Sequence, residues 1–461
     1  MKTRFADLWR PGGTIARGPY AVVGILAFAI KHNLDRIVAF GFHRPWSLFN
    51  YWVPIREVAH ITRLSGNEAI FLDTMLALAF PFIWLGVTLT LKRLRSAALP
   101  PPLVVLFFFP FLNLLLFLVL CVLPERDTSV QALAKPQAQR RSFVSMLPEN
   151  VVGSAAVSLL FTVPIGLALV WLGVRVLTNY GWGLFVAVPF TMGFGAALIY
   201  GARQFRTLGS CVGVACLSVA ILGAALIGVA IEGVFCLIMA APLALPLAAF
   251  GGSCGYVVQR RRWFPEGAPA FLAALVLLTP GVQLLEHAAA PLPPTFIVRS
   301  AIVIDAPPER VWREVVAFTE IPPPRELLFR AGIAYPIRAE MIGHGVGAER
   351  HCVFSTGAFV EPIQVWDEPH RLKFSVTSNP APMQEWTLYS RIDPPHLHGY
   401  LESNSGQFLL TPLPNGQTRL EGTTWYHHGL WPAAYWRLWS DVIIHQIHMR
   451  VLTHIRDEAE K

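Results

Sequence analysis

The sequence predicts two parts shaped by different solvents. Residues 1–290 form an α-helical polytopic membrane region, and residues 291–461 form a water-soluble α+β domain, a curved antiparallel sheet with a long C-terminal helix. Three observations predict this. Of 461 residues, 54% are hydrophobic and 14% charged, an apolar excess that excludes a wholly soluble chain. Residues 291–461 hold 15 Lys+Arg against 18 Asp+Glu, whereas the first 290 residues hold 22 against 11. Apolar runs of bilayer length stop at Pro291-Leu-Pro-Pro294, after which hydrophobic residues come in short alternating stretches.

A spanning helix needs about 20 mostly apolar residues to satisfy its own backbone across about 30 Å of hydrocarbon. Residues 74–91, 96–124, 151–174, 176–202, 207–231, 233–259 and 267–285 contain no Asp, Glu, Lys or Arg and are expected to span. An eighth helix is expected from residue 18 to about 42, with Lys31, Asp35 and Arg36 paired or clustered near its end. Glu232 stands between two of these runs and reads as part of a short loop at the headgroups. The small residues Gly251-Gly-Ser-Cys-Gly255 lie inside a span, where they let helices approach.

Basic clusters should mark cytoplasmic loops: Lys92, Arg93 and Arg95; Arg203 and Arg206; Arg260, Arg261 and Arg262. Three expected crossings, an odd number, separate the first cluster from the second, so either one span is miscounted or one basic loop lies outside. The net charge of +8 is thus loop charge, and the expected partner is a lipid bilayer rather than nucleic acid. The opening Met1-Lys-Thr-Arg has no compact apolar stretch before Pro11, so a removable signal peptide is not expected. Five of six cysteines lie in apolar segments and Cys352 stands alone beyond them. That excludes a disulfide framework or a paired zinc motif and favours a cytoplasmic C-terminal domain on a bacterial-type inner membrane.

In the C-terminal domain, residues 296–304 read as a strand. Prolines 307 and 308 then open an amphipathic helix to about residue 318. Leu372, Phe374 and Val376 alternate with polar neighbours, as do Trp386 and Leu388, which predicts half-buried strands. Turn signals at residues 343–347, 379–380, 394–395 and 414–416 divide the region into six or seven strands. A long helix follows from about residue 432 to 458, and it is the element long enough to cover one face of the sheet. His427-His428 reads as an exposed loop. Tyr435, Trp436 and Trp439 form an aromatic face for the membrane interface, the sheet or the spans.

Ile302-Val-Ile-Asp-Ala-Pro-Pro-Glu-Arg-Val-Trp312 resembles the opening of the SRPBCC superfamily, which includes START-related lipid-transfer, polyketide cyclase/dehydrase and pollen-allergen-like proteins. The stretch from Gly357 to Phe374, with Trp366-Asp-Glu-Pro-His370 at its centre, resembles the mid-sheet signature of that superfamily. The resemblance covers roughly residues 296–458. It implies a helix-grip fold enclosing a pocket for a lipid, polyketide or other apolar molecule. It implies no single reaction, because carriers, sensors and enzymes share the fold.

On the last helix, at 100° per residue, Asp441, His445 and His448 fall within a stripe of about 60° among apolar residues. One expectation is that Asp441 orients His445, whose free ring nitrogen then binds a ligand or moves a proton. The alternative is that these groups hydrogen-bond to one another or to strand backbone. The helix rises about 10 Å from 441 to 448, too far for one ion to take all three, so no metal or cofactor is expected. Glu361 and Met449 complete the expected ligand-binding set. No nucleophilic triad or phosphate-cradling loop is present. The expected function is membrane-tethered binding of a hydrophobic small molecule (lipid, isoprenoid/quinone or polyketide-like) for sensing or handover. The alternatives are a cyclase/dehydrase-type enzyme using Asp441 and His445, or a membrane scaffold with a non-functional cavity.

Overall fold

The computed structural model describes residues 5–51, 66–109, 112–125, 147–260, 264–289, 292–389 and 392–461. The helical half contains α1 (Arg17–Gly41), α2 (Gly66–Ser96), α3 (Leu112–Val122), α4 (Val151–Trp171), α5 (Val188–Tyr200), α6 (Leu208–Gly228), α7 (Val234–Arg260) and α8 (Phe264–Ala289). Among the described residues, five stretches are long and apolar enough to cross a membrane: Ile70–Ser96, Val151–Val176, Gly183–Tyr200, Leu208–Gly228 and Val234–Arg260. These five correspond to the expected spans at 74–91, 151–174, 176–202, 207–231 and 233–259. In α1 the apolar run is interrupted by a 2.5 Å ion pair between Lys31 and the fully buried Asp35.

The expected span at 96–124 is broken. Prolines at 100–102 lack backbone donors, and the chain there forms a 3-10 helix, Pro101–Phe108, followed by the eleven-residue α3. Arg93, fully buried near the end of α2, ties this segment back: Nε donates to the Leu120 carbonyl at 2.9 Å and Nη2 to that of Leu123. The described residues 97–109 and 112–123 thus leave the end of α2 and return to it. The charges at Lys92 and Arg93, expected in a loop, are buried.

Helices α4 to α7 form an antiparallel bundle whose two ends are clearly marked. At one end Arg203 pairs with Glu149, Arg206 donates to the Glu149 carbonyl at 2.6 Å, and Gln259 of α7 donates to the Ala197 carbonyl of α5. At the other end Glu286 of α8 accepts from the backbone N–H groups of Trp182 and Gly183 at 2.7 and 2.9 Å, placing its charge at the N-terminus of the helical run that leads into α5. Contact between α5 and α7 depends on missing side chains. A Cβ on Gly193 would lie 2.1 Å from the Ala248 carbonyl oxygen, and one on Gly251 would lie 2.3 Å from that of Phe190.

The C-terminal half has the helix-grip fold: β1 (Thr295–Ile304), α9 (Pro308–Val316), β2 (Pro336–Ile342), β3 (Glu349–Phe354), β4 (Gly357–Asp367), β5 (Arg371–Ser375), β6 (Leu401–Pro412), β7 (Thr418–His428) and α10 (Ala433–Ala459). The strands form one antiparallel sheet in the order β1-β7-β6-β5-β4-β3-β2. Alternation is visible in β3, where Arg350, Cys352 and Phe354 are buried between half-buried neighbours. The core joins Val311, Trp312 and Val315 of α9 with sheet residues such as Leu372 and Leu420 and with Leu452 and Ile455 of α10. At about 25 cal/mol per Å² of apolar surface, burying each such side chain contributes roughly 1.5–3 kcal/mol.

Two local expectations fail. Residues 385–389, expected as a strand, are irregular and dock on the helical half, where the Trp386 carbonyl accepts from Val234 N–H at 2.9 Å. Trp386 and Leu388 are exposed there, and Glu385 is the buried member of the alternation. His428, expected in an exposed loop, ends β7 fully buried, with its ring stacked on Phe296 at 5.1 Å.

Candidate functional site

Between the sheet and α10 lies a cavity of about 110 Å³. Strand register builds its polar centre. Arg350 of β3 sits directly opposite Glu361 of β4, and the two side chains form a buried ion pair through Nη1 and Oε2. The Arg350 guanidinium is 1% exposed and lies 5.5 Å from the rings of Phe318, Phe374 and Phe408. Its Nε donates to the Val316 carbonyl at 3.3 Å, while Nη2 has no hydrogen-bond partner. Burial pushes the Glu361 carboxyl above the ordinary carboxylate range, against the pull of Arg350. Arg350, which burial alone would lower, is carried above its ordinary value by Glu361. Burial and Glu361 push the neighbouring Cys352 thiol up to about 12, which keeps it protonated and unreactive.

A second polar group enters the cavity from α10. His448 lies 2.7 Å through Nε2 from the Thr424 hydroxyl and 3.1 Å through Nδ1 from that of Ser300; the Ser300 hydroxyl is in turn 2.7 Å from Nδ1 of His445. His445 is exposed, while His448 and Thr424 line the cavity. A continuous chain of hydrogen-bonding groups therefore runs from the surface to the cavity wall. Burial, and then the neighbouring His445, lower the His448 pKa to about 4.

The expected ligand set divides. Glu361 and His448 line the cavity, whereas Asp441, His445 and Met449 are not among its lining residues. The expected link from Asp441 to His445 is not formed. Asp441 accepts from the Tyr426 hydroxyl at 2.6 Å and from Arg437 at 3.0 Å, while His445 meets Ser300. Helical spacing placed these groups on one stripe, but β1 and β7 partner them separately. Arg350 escaped the sequence reading, although its place in an alternating strand marks it as an inward-facing charge.

A second cavity, of about 190 Å³, lies where the two halves meet. Its walls are apolar side chains of the helical bundle together with Ile333, Met383, Trp436 and Ile443. At one side four polar groups converge. The Tyr180 hydroxyl donates to Glu232 at 2.8 Å, and His396 lies 3.2 Å from that hydroxyl, 3.4 Å from Glu232 and 2.9 Å from the Cys236 sulfur. Glu232, in the short loop expected between two apolar runs, is buried beneath the C-terminal half. The aromatic face of α10 also packs here: Trp436 meets Phe185 at 4.7 Å, and the Tyr435 hydroxyl donates to the Met239 carbonyl.

The seven-stranded sheet gripping a single long helix defines a helix-grip protein joined to a helical bundle. No family model matches the chain, and no curated protein matches it. Among solved structures, similarity is found to a protein from Nitrosospira multiformis at 19% identity over 35% of this chain and 95% of that one, with a TM-score of 0.22. It is also found to a truncated norcoclaurine synthase from Thalictrum flavum at 12% identity over 36% and 93%, TM-score 0.23. The Zhui aromatase/cyclase from Streptomyces sp. R1128 matches at 13% identity over 36% and 94%, TM-score 0.23. The fold assignment rests on strand order and the gripping helix, not on these likenesses.

Proposed function

We propose that this chain is a membrane-embedded binding protein whose helix-grip cavity takes the polar end of an apolar molecule, for sensing or handover. The observation that carries this reading is the Arg350 guanidinium, buried among three phenylalanine rings with one nitrogen lacking a partner. Such a donor in an apolar cavity suits a carbonyl or carboxylate on a hydrophobic body. A volume of about 110 Å³ is below that of an engineered apolar cavity of about 150 Å³ that admits benzene. The cavity therefore suits a chain end or a small polar head rather than a whole ring, as on a lipid, an isoprenoid or a polyketide-like molecule. The bilayer is the store of such a ligand, and tethering raises its effective concentration. Lipid extraction and native mass spectrometry of the purified full chain should recover one apolar molecule, lost in Arg350→Met; repeated recovery of an empty wild-type chain overturns the reading.

One observation supports the cyclase/dehydrase-type enzyme instead: the hydrogen-bonded chain His445–Ser300–His448–Thr424, suited to moving a proton between solvent and cavity. If His448→Gln keeps the extracted ligand but abolishes its conversion, the enzyme reading gains. Loss of ligand itself favours the carrier.

For sidedness, the basic residues support a reading opposite to the one favoured by the lone Cys352. Arg203, Arg206 and Arg260 gather at the bundle end where α4 begins. The helix-grip half docks at the far end, through the Tyr389 hydroxyl on the Gly228 carbonyl and Trp431 N–H on the Tyr180 carbonyl at 2.9 Å. With basic loops cytoplasmic, this domain lies on the opposite face of the membrane.

A further inference from the structure

The geometry points to a second site, distinct from the helix-grip cavity: a zinc-class divalent metal held at the junction of the two halves by Glu232, Cys236, His396 and Glu385. The four donors come from three segments that meet only in the folded chain. Glu232 precedes α7 by two residues and Cys236 lies one turn later on the same face. His396 sits in the one-turn 3-10 helix Pro395–Leu397, and Glu385 lies in the irregular segment that docks on the bundle. Ligand atoms of Glu232, Cys236 and His396 all lie within 4.8 Å of one another. The His396 Nε2 is 2.9 Å from the cysteine sulfur and 3.8 Å from Glu385 Oε1. Bonds of about 2.0–2.3 Å to a tetrahedral ion set neighbouring ligands about 3.3–3.8 Å apart, so small side-chain shifts admit one ion.

Unmet polar demand supplies the independent observation. Glu232 and Glu385 are 7% and 6% exposed, yet Glu232 Oε2 and both Glu385 oxygens have no hydrogen-bond donor. Two buried carboxylates facing one imidazole carry more negative potential than that imidazole offsets, which a protein interior relieves by protonation or by a bound cation. A thiolate, an imidazole and carboxylates form a mixed set of borderline donors that suits zinc better than the all-oxygen preference of magnesium or calcium. Tyr180 takes the outer position, its hydroxyl donating to Glu232 at 2.8 Å. Because Glu232 and Cys236 belong to the bundle and His396 and Glu385 to the helix-grip half, the ion would fasten one half to the other.

The full chain, purified in detergent, stripped with chelator and titrated with Co²⁺, should take up one equivalent with thiolate-to-metal charge-transfer absorption that Zn²⁺ displaces. Cys236→Ser should abolish that absorption, Cys216→Ser should leave it intact, and Tyr180→Phe should weaken binding about 10-fold or more. X-ray absorption of the zinc-loaded wild type needs no variant: one sulfur at about 2.3 Å with nitrogen and oxygen completing the shell is expected. A folded wild-type chain that takes up no Co²⁺ overturns the assignment. So does a zinc shell with no sulfur or several, or an unchanged spectrum in Cys236→Ser.

Discussion

At the level of single residues, the buried Arg350–Glu361 pair separates stability from function. Removing one partner of such a pair leaves the other charge stranded, which costs about 3–5 kcal/mol, whereas replacing both with apolar groups is near neutral. Arg350→Met should therefore lower the thermal midpoint of the full chain sharply, and Arg350→Met with Glu361→Leu should recover most of the loss while still failing to retain ligand. A single variant as stable as wild type would show that the pair is not buried in solution. His448 gives a pH signature. Its pKa is lowered to about 4 when folded, against 6.5 in the open chain. Between pH 6.5 and 4 the unfolded chain takes up a proton that the folded one refuses. Stability should fall as pH drops through that window, by about 1–3 kcal/mol. His448→Gln should flatten that part of the stability curve, as followed by denaturant titration at several pH values.

Individual elements show what periodicity reveals and where it stops. The apolar runs of α4, α6 and α7 and the strands β1 and β5 were legible because each presents its pattern to one uniform environment. The stretch 385–389 was not, because its alternation does not sort its burial: Trp386 and Leu388 are exposed while Glu385 is buried against the bundle. The 96–124 run failed for a different reason: composition alone cannot show that Arg93 folds back to bind the Leu120 and Leu123 carbonyls. Of the candidate site, Glu361 and His448 were within reach of sequence reasoning, whereas the grouping of Glu232, Cys236, Glu385 and His396 depends on contacts as much as 164 residues apart and has no local signal. The approach of α5 to α7 is open to test. Gly193→Ala places a methyl against the Ala248 carbonyl and should cost about 1–3 kcal/mol, while Gly213→Ala, with nothing within 4 Å, should be silent. Equal thermal midpoints for the two variants would reject the close packing.

The whole molecule is polarised along the bundle. Arg203, Arg206 and Arg260 collect at one end and the helix-grip half sits at the other, so one reporter experiment reads its orientation. Alkaline phosphatase fused after Lys461 should be active and a fluorescent protein at the same position dark; the reverse pattern rejects the proposed side.

The α10 helix has a further consequence. Ile443 faces the junction cavity and its neighbour Ile444 faces the helix-grip cavity, so one turn of this helix is the partition between two chambers. A guest pressing on one side strains the same backbone that shapes the other. A guest in either chamber would bear on a wall one helix thick that the other chamber shares.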